Sequence, residues 1–331
     1  MELKNLADIL ADQPSFRLKQ IKQLIFKDLI ADWSLATTLP KDLREQLKQN
    51  FDLTINAELN FSGQNQTSKA LVTFNDESKI ETVLMSHADN RHTICVSCQV
   101  GCPMGCAFCA TGKLGLKRNL TSWEIVLQVL LFARYLKEKE QKVTNVVFMG
   151  MGEPMNNFAN VIEAIETLHD PDGFNLGARH FSISTCGLIP GIEKLSNYSL
   201  EVNLAISLHA PNNQLRSELM PVNNAFPLEK LLAAVDSYIK KTNRKVMFEY
   251  LLIDGVNDTI ENAKELAVLM KKPLYFVNLI VYNPTGNFKP SSSGRVKKFK
   301  EILEKSGVDV TQRYSFGQDI KAACGQLAGK Q

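Results

Sequence analysis

The sequence has little net charge, no long apolar run and no biased composition, and these absences exclude several classes of protein. Among its 331 residues, 38 Lys and Arg stand against 35 Asp and Glu, which gives a formal net charge of +3. With 44% hydrophobic and 22% charged residues, it resembles neither a disordered chain nor a collagen. It contains no run of about 18 apolar residues, so we expect no transmembrane helix. The length suits one large α/β domain, with or without a small accessory domain.

The first residues carry charges from the start and contain no apolar segment of the kind found in secretory signals. We therefore expect a cytoplasmic protein. In that reducing compartment, seven cysteines predict metal binding or redox chemistry rather than a static disulfide framework. Five of the seven lie between Cys95 and Cys109, which makes this segment the most informative part of the chain.

Three regions differ in their apolar pattern. Residues 1–50 have apolar side chains at helical spacing and many Lys and Arg residues, which predicts a small helical domain able to contact phosphates. Residues 51–90 alternate as in an antiparallel β-meander. Residues 91–331 alternate strand-like and helix-like segments, which predicts an α/β fold with a partial or complete TIM-type (β/α) barrel. A doubly wound open sheet is the alternative.

The predicted elements of this third region fall into two series. The strands are expected at 93–97, 143–149, 180–185, 202–208, 246–252, 275–281 and 308–314. The helices are expected at 122–139, 158–168, 191–196, 228–241, 260–271 and 294–306.

The cysteine segment permits two metal sites. Cys95 and Cys98, with Cys106 and Cys109, form two C-x-x-C pairs that could hold zinc with four thiolates. Alternatively, Cys102, Cys106 and Cys109 follow the spacing C-x3-C-x2-C, in which three thiolates bind three irons of a [4Fe–4S] cluster and leave one iron open. The second pattern is rarer by chance, and we favour it. The cysteines follow the first barrel strand, at the face where such barrels carry their chemistry.

Polar residues follow several of the predicted strands at that same face. They are Gly152 and Glu153 after the second strand, Ser184 at the end of the third, Ser207, Leu208 and His209 at the end of the fourth, and Asn283 after the sixth. A carboxylate next to a glycine turn could bind an amino group, and the hydroxyl, imidazole and amide groups could line a pocket for a polar cofactor.

Several longer motifs carry a resemblance to a known family. They are Cys102-x3-Cys106-Ala-Phe-Cys109-Ala-Thr-Gly, Phe-Met-Gly-Met-Gly-Glu-Pro, Ile-Ser-Thr-x-Gly, Ser-Leu-His-Ala-Pro, Gly-Val-Asn-Asp and Ala-Ala-Cys324-Gly-Gln-Leu. Together they resemble the radical S-adenosylmethionine (radical SAM) RNA adenine methyltransferases of the RlmN/Cfr type, and the match runs over nearly the whole chain. The resemblance implies a radical SAM barrel core over residues 91–331 and a [4Fe–4S] cluster held by Cys102, Cys106 and Cys109.

The resemblance also implies a mechanism that uses two S-adenosylmethionine molecules per turnover. One methylates Cys324, and the second yields a 5′-deoxyadenosyl radical that takes a hydrogen from the S-methyl group. The methylene radical then adds to an adenine carbon, which is not nucleophilic enough for ordinary methyl transfer. Cys95 attacks Cys324, releases the methylated base and leaves a transient disulfide. By the same resemblance Glu81 accepts the proton from the adduct.

The other roles follow from the same family. Residues expected to line the S-adenosylmethionine pocket are Gly152, Glu153, Ser184, Ser207, Leu208, His209 and Asn283. Two cysteines depart from the common pattern: Cys98 stands where relatives commonly have serine, and Cys186 lies in the Ser-Thr-x-Gly turn. We predict that Cys98 is not a cluster ligand. The expected reductant is a flavodoxin or ferredoxin, and no membrane partner is expected.

The resemblance implies an RNA substrate. The target adenine has to be unstacked from its neighbours to expose the ring carbon. RlmN-like members methylate carbon 2 of a 23S rRNA adenosine, in a protein-poor or assembling subunit, and some also the tRNA adenosine 3′ of the anticodon. Cfr-like members methylate carbon 8 and confer antibiotic resistance. We favour carbon 2 because of Gly152-Glu153-Pro154, although Val-Tyr-Asn283-Pro is closer to the second group. A rival from another class is a zinc-bearing RNA-binding protein without catalysis.

Overall fold

Three helices and a three-stranded meander precede the alternating part of the chain. The computed structural model describes residues 4–63, 66–286, 288–314 and 316–329. The helices are α1 (Lys4–Ile9), α2 (Phe16–Phe26) and α3 (Lys41–Asn50). The meander strands are β1 (Asn56–Phe61), β2 (Thr67–Thr73) and β3 (Lys79–Ser86). No helix in the described ranges is long and apolar enough to cross a membrane.

Seven parallel strands continue the sheet that the meander begins. They are β4 (His92–Cys95), β7 (Asn145–Phe148), β8 (Phe181–Thr185), β9 (Asn203–Ser207), β10 (Val246–Leu252), β11 (Tyr275–Val281) and β12 (Val310–Arg313). A separate antiparallel hairpin, β5 (Gln99–Cys102) and β6 (Gly115–Asn119), lies between β4 and β7 in the chain. Within the ten-stranded sheet the strands follow one another in chain order without a reversal.

Helices connect the parallel strands. They are α4 (Ser122–Lys137), α5 (Phe158–His169), α6 (Ile189–Ser196), α7 (Asn213–Leu219), α8 (Leu228–Thr242), α9 (Ile260–Met270) and α10 (Ser293–Lys305). A doubly wound sheet reverses its strand order at a switch point, and this sheet does not. The predicted α/β class with a partial barrel is therefore confirmed, and the doubly wound alternative is wrong. The sheet curls enough for Arg313 on β12 to contact the sulfur of Met85 on β3 at 3.8 Å.

The predicted elements of the third region agree closely with the observed ones. The strands expected at 246–252 and 275–281 coincide with β10 and β11, and the other boundaries differ by at most two residues. The short helix α7 and the β5–β6 hairpin were not predicted. Both are brief elements whose apolar positions are too few to define a period.

Aromatic packing fixes the N-terminal helices to the barrel. The ring of Phe51, just after α3, lies 4.5 Å from that of Trp123 in α4 and 6.5 Å from that of Trp33. Trp33 donates its indole N–H to the Phe51 carbonyl, and Trp123 donates to the Asp52 carbonyl. The start of α4 is set by a capping box, in which Thr121 and Glu124 satisfy one another's backbone N–H groups.

Candidate active site

The three cysteines of the C-x3-C-x2-C motif line one cavity at the carboxyl ends of the parallel strands. Cys102 is the last residue of β5 and pairs with Gly115 of β6, whereas Cys106 and Cys109 lie in the following loop. The pairing of the two strands is irregular at Gly101, and glycine is required there because φ is +78° and a Cβ would lie 1.9 Å from the Gly115 carbonyl oxygen. The hairpin thereby holds the first cysteine of the motif at the cavity.

The ends of β7, β8 and β9 supply the opposite wall of this cavity. Gly152 and Glu153 follow β7, Ser184 lies in β8, Ser207 ends β9 and His209 follows it. Carboxyl ends of parallel strands meet at one edge of a sheet, so residues that are far apart in the chain come together here. The structure thus assembles five of the seven predicted pocket residues with the three thiols.

Glu153 is a buried carboxylate held by backbone donors. Its Oε1 accepts from the Met155 N–H at 3.0 Å and its Oε2 from the Cys186 N–H at 2.8 Å. Burial raises the pKa of Glu153 above its usual value, while these N–H donors act in the opposite direction. No cation pairs with Glu153 among the described residues, so the carboxylate has capacity for a positively charged ligand group.

Ser184 and Ser207 belong to a hydroxyl network built on Glu249. The Ser184 Oγ donates to Glu249 Oε2 at 2.8 Å and lies 3.4 Å from the Ser207 Oγ. Glu249 lines the cavity but was not predicted as a site residue. The sequence contains a feature that could have identified Glu249, because it is the single charged residue of the apolar strand β10.

His209 is neutral and has one fixed tautomer. Its Nδ1 accepts from the Leu251 N–H at 3.1 Å, so Nε2 carries the proton. Burial, aided by the charge of Arg216, lowers the pKa of His209 to about 3. The backbone at His209 has φ of +58°, and its ring packs edge-on against Phe108 at 4.8 Å. The imidazole can therefore serve as a hydrogen-bond donor but not as a cation.

Two predicted pocket residues do not line this cavity. Leu208 is fully buried, and its carbonyl accepts from the Arg216 guanidinium. Asn283 donates from Nδ2 to the Cys324 carbonyl at 3.2 Å and accepts from Gln318 at 2.8 Å. In this conformation Asn283 holds the C-terminal segment, which we call the tail (residues 316–329).

The tail carries Cys324 to the junction of two cavities. Cys324 lines both the cavity of the three thiols and an adjoining one, and this second cavity is lined by Cys95. Hydrogen bonds from the cysteine loop support the tail: Ala110 N–H donates to the Gly325 carbonyl at 2.8 Å, and the Thr111 hydroxyl donates to the Leu327 carbonyl at 2.6 Å. Both thiols are free, and they share the second cavity.

Glu81 lines neither cavity and binds the end of the tail. Its Oε1 forms an ion pair with Lys69 Nζ at 2.7 Å, and this pair is buried. Its Oε2 accepts from the Ala328 N–H at 2.6 Å and the Gly329 N–H at 3.1 Å. Both carboxylate oxygens are thus occupied when the tail is docked.

The arrangement of thiols fits a cluster better than a single metal ion. A zinc ion requires its sulfur ligands to converge at about 2.3 Å, yet Cys95 lines a different cavity from Cys106 and Cys109, and Cys98 is buried and lines neither. Over the described ranges no group of three His, Cys, Asp or Glu side chains is arranged to hold one metal ion. In a [4Fe–4S] cluster each thiolate binds a different iron, so the sulfur atoms need not converge on one metal ion. The three cavity-lining thiols fit that requirement.

The comparisons with known proteins agree with this geometry. The Radical SAM superfamily profile matches residues 96–267. A "probable dual-specificity RNA methyltransferase RlmN" from Dictyoglomus thermophilum is 46% identical over 330 residues, covering 98% of this chain and 94% of the relative. The protein of the same name from Enterococcus faecalis is 43% identical, covering 96% and 91%. A crystal structure of a radical SAM methyltransferase from Sphaerobacter thermophilus superposes with a TM-score of 0.96 at 44% identity, covering 100% of this chain and 98% of the other.

The fold and the profile match define a radical SAM protein, a class whose members use S-adenosylmethionine and a [4Fe–4S] cluster. Within that class, the chain belongs to the RlmN family of radical SAM RNA methyltransferases. The predicted family is thereby confirmed.

Proposed function

We propose that this enzyme methylates carbon 2 of an adenosine in 23S rRNA, and also the tRNA adenosine 3′ of the anticodon, in the cytoplasm. The observation that carries the proposal is the position of Cys324 between the three-thiol cavity and the cavity of Cys95. Such a position suits a thiol that receives a methyl group in one cavity and whose bond to the product is broken by a second thiol in the other. The dual-specificity names of the relatives support the choice of both substrates.

Cys102, Cys106 and Cys109 would hold the cluster, and the remaining cavity wall would hold S-adenosylmethionine. When bound together, these groups supply the hydrogen-abstracting radical of this class. Glu153 would bind the amino group of the ligand, because its buried carboxylate has no partner cation among the residues that the structure describes. Ser184, Ser207 and the Nε2–H of His209 would bind its polar groups, and Gly152 would give the backbone close access. Leu208 and Asn283 would act indirectly, through the backbone and the tail.

Two thiols outside the cluster motif perform the group transfer. The Cys324 thiolate takes the methyl group of one S-adenosylmethionine, so that a sulfur–carbon bond forms and the sulfonium bond breaks. A second S-adenosylmethionine would supply the radical chemistry, which would give two molecules per turnover. Cys95 then resolves the thioether between Cys324 and the base. The second cavity surrounds both sulfurs mainly with apolar side chains.

For Glu81 to act as the proton acceptor, the tail has to adopt a different conformation. With Ala328 and Gly329 bound, its oxygens are occupied, so acceptance of a proton from an RNA adduct depends on release of these two amides. The ion pair with Lys69 would hold the Glu81 carboxylate in position until then. RNA phosphates would be bound by the basic N-terminal helices and by Lys297, Lys298 and Lys300 of α10. A flavodoxin or ferredoxin would supply the electrons.

Nucleoside mass spectrometry tests the proposed substrate and position. We expect 2-methyladenosine in 23S rRNA and in tRNA from cells that have the gene, and its loss from both when the gene is deleted. Re-expression should restore it. The appearance of 8-methyladenosine in place of 2-methyladenosine would overturn the carbon-2 assignment, and an unmodified tRNA pool would overturn dual specificity.

Replacement of Glu153 by glutamine should weaken S-adenosylmethionine binding by about 10- to 100-fold, because a charge-assisted hydrogen bond is lost. Since burial raises the pKa of Glu153, the carboxylate is protonated at higher pH than an ordinary glutamate. Binding by the unaltered enzyme should therefore weaken as pH falls through that raised pKa. Calorimetric titration of cluster-loaded protein measures both effects. The exposed Glu193→Gln serves as control, and equal affinity in the two variants would contradict the assignment.

A further inference from the structure

Arg313 is a largely buried cation that no carboxylate contacts closely among the described residues. It ends β12, and its guanidinium contacts two thioether sulfurs, Met149 Sδ at 3.7 Å and Met85 Sδ at 3.8 Å. A thioether is a weak acceptor and cannot balance a positive charge. The side chain keeps about a quarter of its surface exposed, at 26%. A partly buried cation is stabilised by a neighbouring anion.

The charged groups around Arg313 do not neutralise it. The Glu249 Oε1 on β10 lies 4.0 Å away, at the limit of an ion pair, and the other oxygen of Glu249 is bound by Ser184. His87, in the turn after β3, packs edge-on against Phe316 in the tail, and burial is the main cause that lowers its pKa. An imidazole is neutral or positively charged, so His87 cannot balance the charge of Arg313. The other ionisable side chains that line the second cavity with Arg313, among the described residues, are Tyr314 and two thiols, Cys95 on β4 and Cys324 in the tail.

The second cavity is otherwise unfavourable to a thiolate. Its other walls are mainly apolar side chains of Val83, Met85, Met149, Ile280, Ala322, Ala323 and Leu327. Burial raises the pKa of Cys95 to about 12, and the charge of Arg313 is the largest influence that lowers it. For Arg313, the largest influence on the pKa is Cys324, which raises it. A thiol that has to react as a thiolate in such surroundings needs a neighbouring cation.

We propose that Arg313 is a positioning residue for the thiol chemistry: it stabilises the thiolates of Cys324 and Cys95 in turn and holds the two sulfurs on one side of its guanidinium. The inference rests on the proposed function. In the releasing step, the Cys95 thiolate forms a bond to the Cys324 sulfur, and the bond from that sulfur to the base-bound carbon breaks. The carbon keeps the electron pair and takes up one proton to become the methyl group. The step consumes no external oxidant.

Arg313→Met tests the inference because it removes the charge and keeps an apolar side chain among the two methionines. With cluster-loaded enzyme and methyl-labelled S-adenosylmethionine, peptide mass spectrometry measures the rate of S-methylation of Cys324 as a function of pH. We expect the midpoint of this profile to rise by about one pH unit, so that methylation is about tenfold slower below it. Addition of RNA should then produce a covalent protein–RNA adduct on denaturing gels, because Cys95 resolves it slowly.

Two controls separate charge from structure. Arg313→Lys keeps the charge and should restore the pH midpoint, whereas Arg179→Met, at an exposed ion pair with Glu201, should behave as the unaltered enzyme. An unshifted midpoint together with no adduct in Arg313→Met would overturn the inference. If that variant fails to fold or to bind iron, Arg313→Gln is judged by the same two outcomes. If the unaltered enzyme forms neither S-methylated Cys324 nor methylated RNA, the proposed function itself is wrong.

Discussion

Replacement of Cys324 by alanine should abolish RNA methylation while the cluster and the cleavage of S-adenosylmethionine are retained. Cys324 lies at the junction of the two cavities, and its backbone carbonyl accepts from Asn283, a contact that alanine preserves. Because the substitution removes the nucleophile that would carry the transferred group, methylation should fall by at least about 1,000-fold. Iron content, 5′-deoxyadenosine production and methylated adenosine are measured on the same preparation.

The matched variant is Cys95→Ala, which removes the second thiol of the same cavity. It should also fail to release product, but a covalent protein–RNA adduct through Cys324 should accumulate, since the resolving thiol is absent. Cys324→Ala should form no such adduct. Equal methylation in Cys324→Ala and the unaltered enzyme, or an adduct in both variants, would contradict the assigned roles.

Replacement of Cys106 by alanine should remove the cluster and with it all cleavage of S-adenosylmethionine. Cys106 lines the same cavity as Cys102 and Cys109, and two remaining thiolates cannot hold three irons. We expect iron content after anaerobic reconstitution to fall to background, with 5′-deoxyadenosine production lowered by at least about 1,000-fold. Iron assays and visible absorption measure the first effect, and chromatography of the nucleoside measures the second.

Cys98→Ser provides the matched control, eight residues before Cys106 in the chain. Cys98 is buried and lines neither cavity; its backbone carbonyl accepts from Leu120 and Asn157, contacts that serine keeps. The variant should retain its iron and its absorption. Loss of the cluster in Cys98→Ser would show that the ligand set includes Cys98, and full iron content in Cys106→Ala would overturn the C-x3-C-x2-C assignment.

The sequence predicts the barrel well because its strands are short apolar runs separated by amphipathic helices. Parallel strands deliver their carboxyl ends to one edge, so the polar residues that follow such runs can be grouped from the sequence alone. This reasoning finds Glu153, Ser184, Ser207 and His209, and they do line one cavity. Leu208 does not, because adjacent residues near a strand end point to different sides.

Other parts of the site depend on contacts that local patterns cannot contain. Glu81 binds amide groups 247 and 248 residues later in the chain, and no periodicity relates such positions. Arg313 reaches the thiols only because the sheet curls and brings β12 towards β3. Glu249 is detectable as a charge in an apolar strand, but its partner Ser184 follows only from the order in which the strands pair.

The hydrogen bonds between the cysteine loop and the tail have a consequence for maturation. Ala110 and Thr111 follow the last cysteine of the motif directly, and they support the peptide that carries Cys324. In the proposed site, the loop that would hold the cluster would therefore also support the proposed methyl-accepting thiol. Cluster assembly would act as a checkpoint on the newly made enzyme, and the supply of iron in the cell would set how much of it can modify RNA.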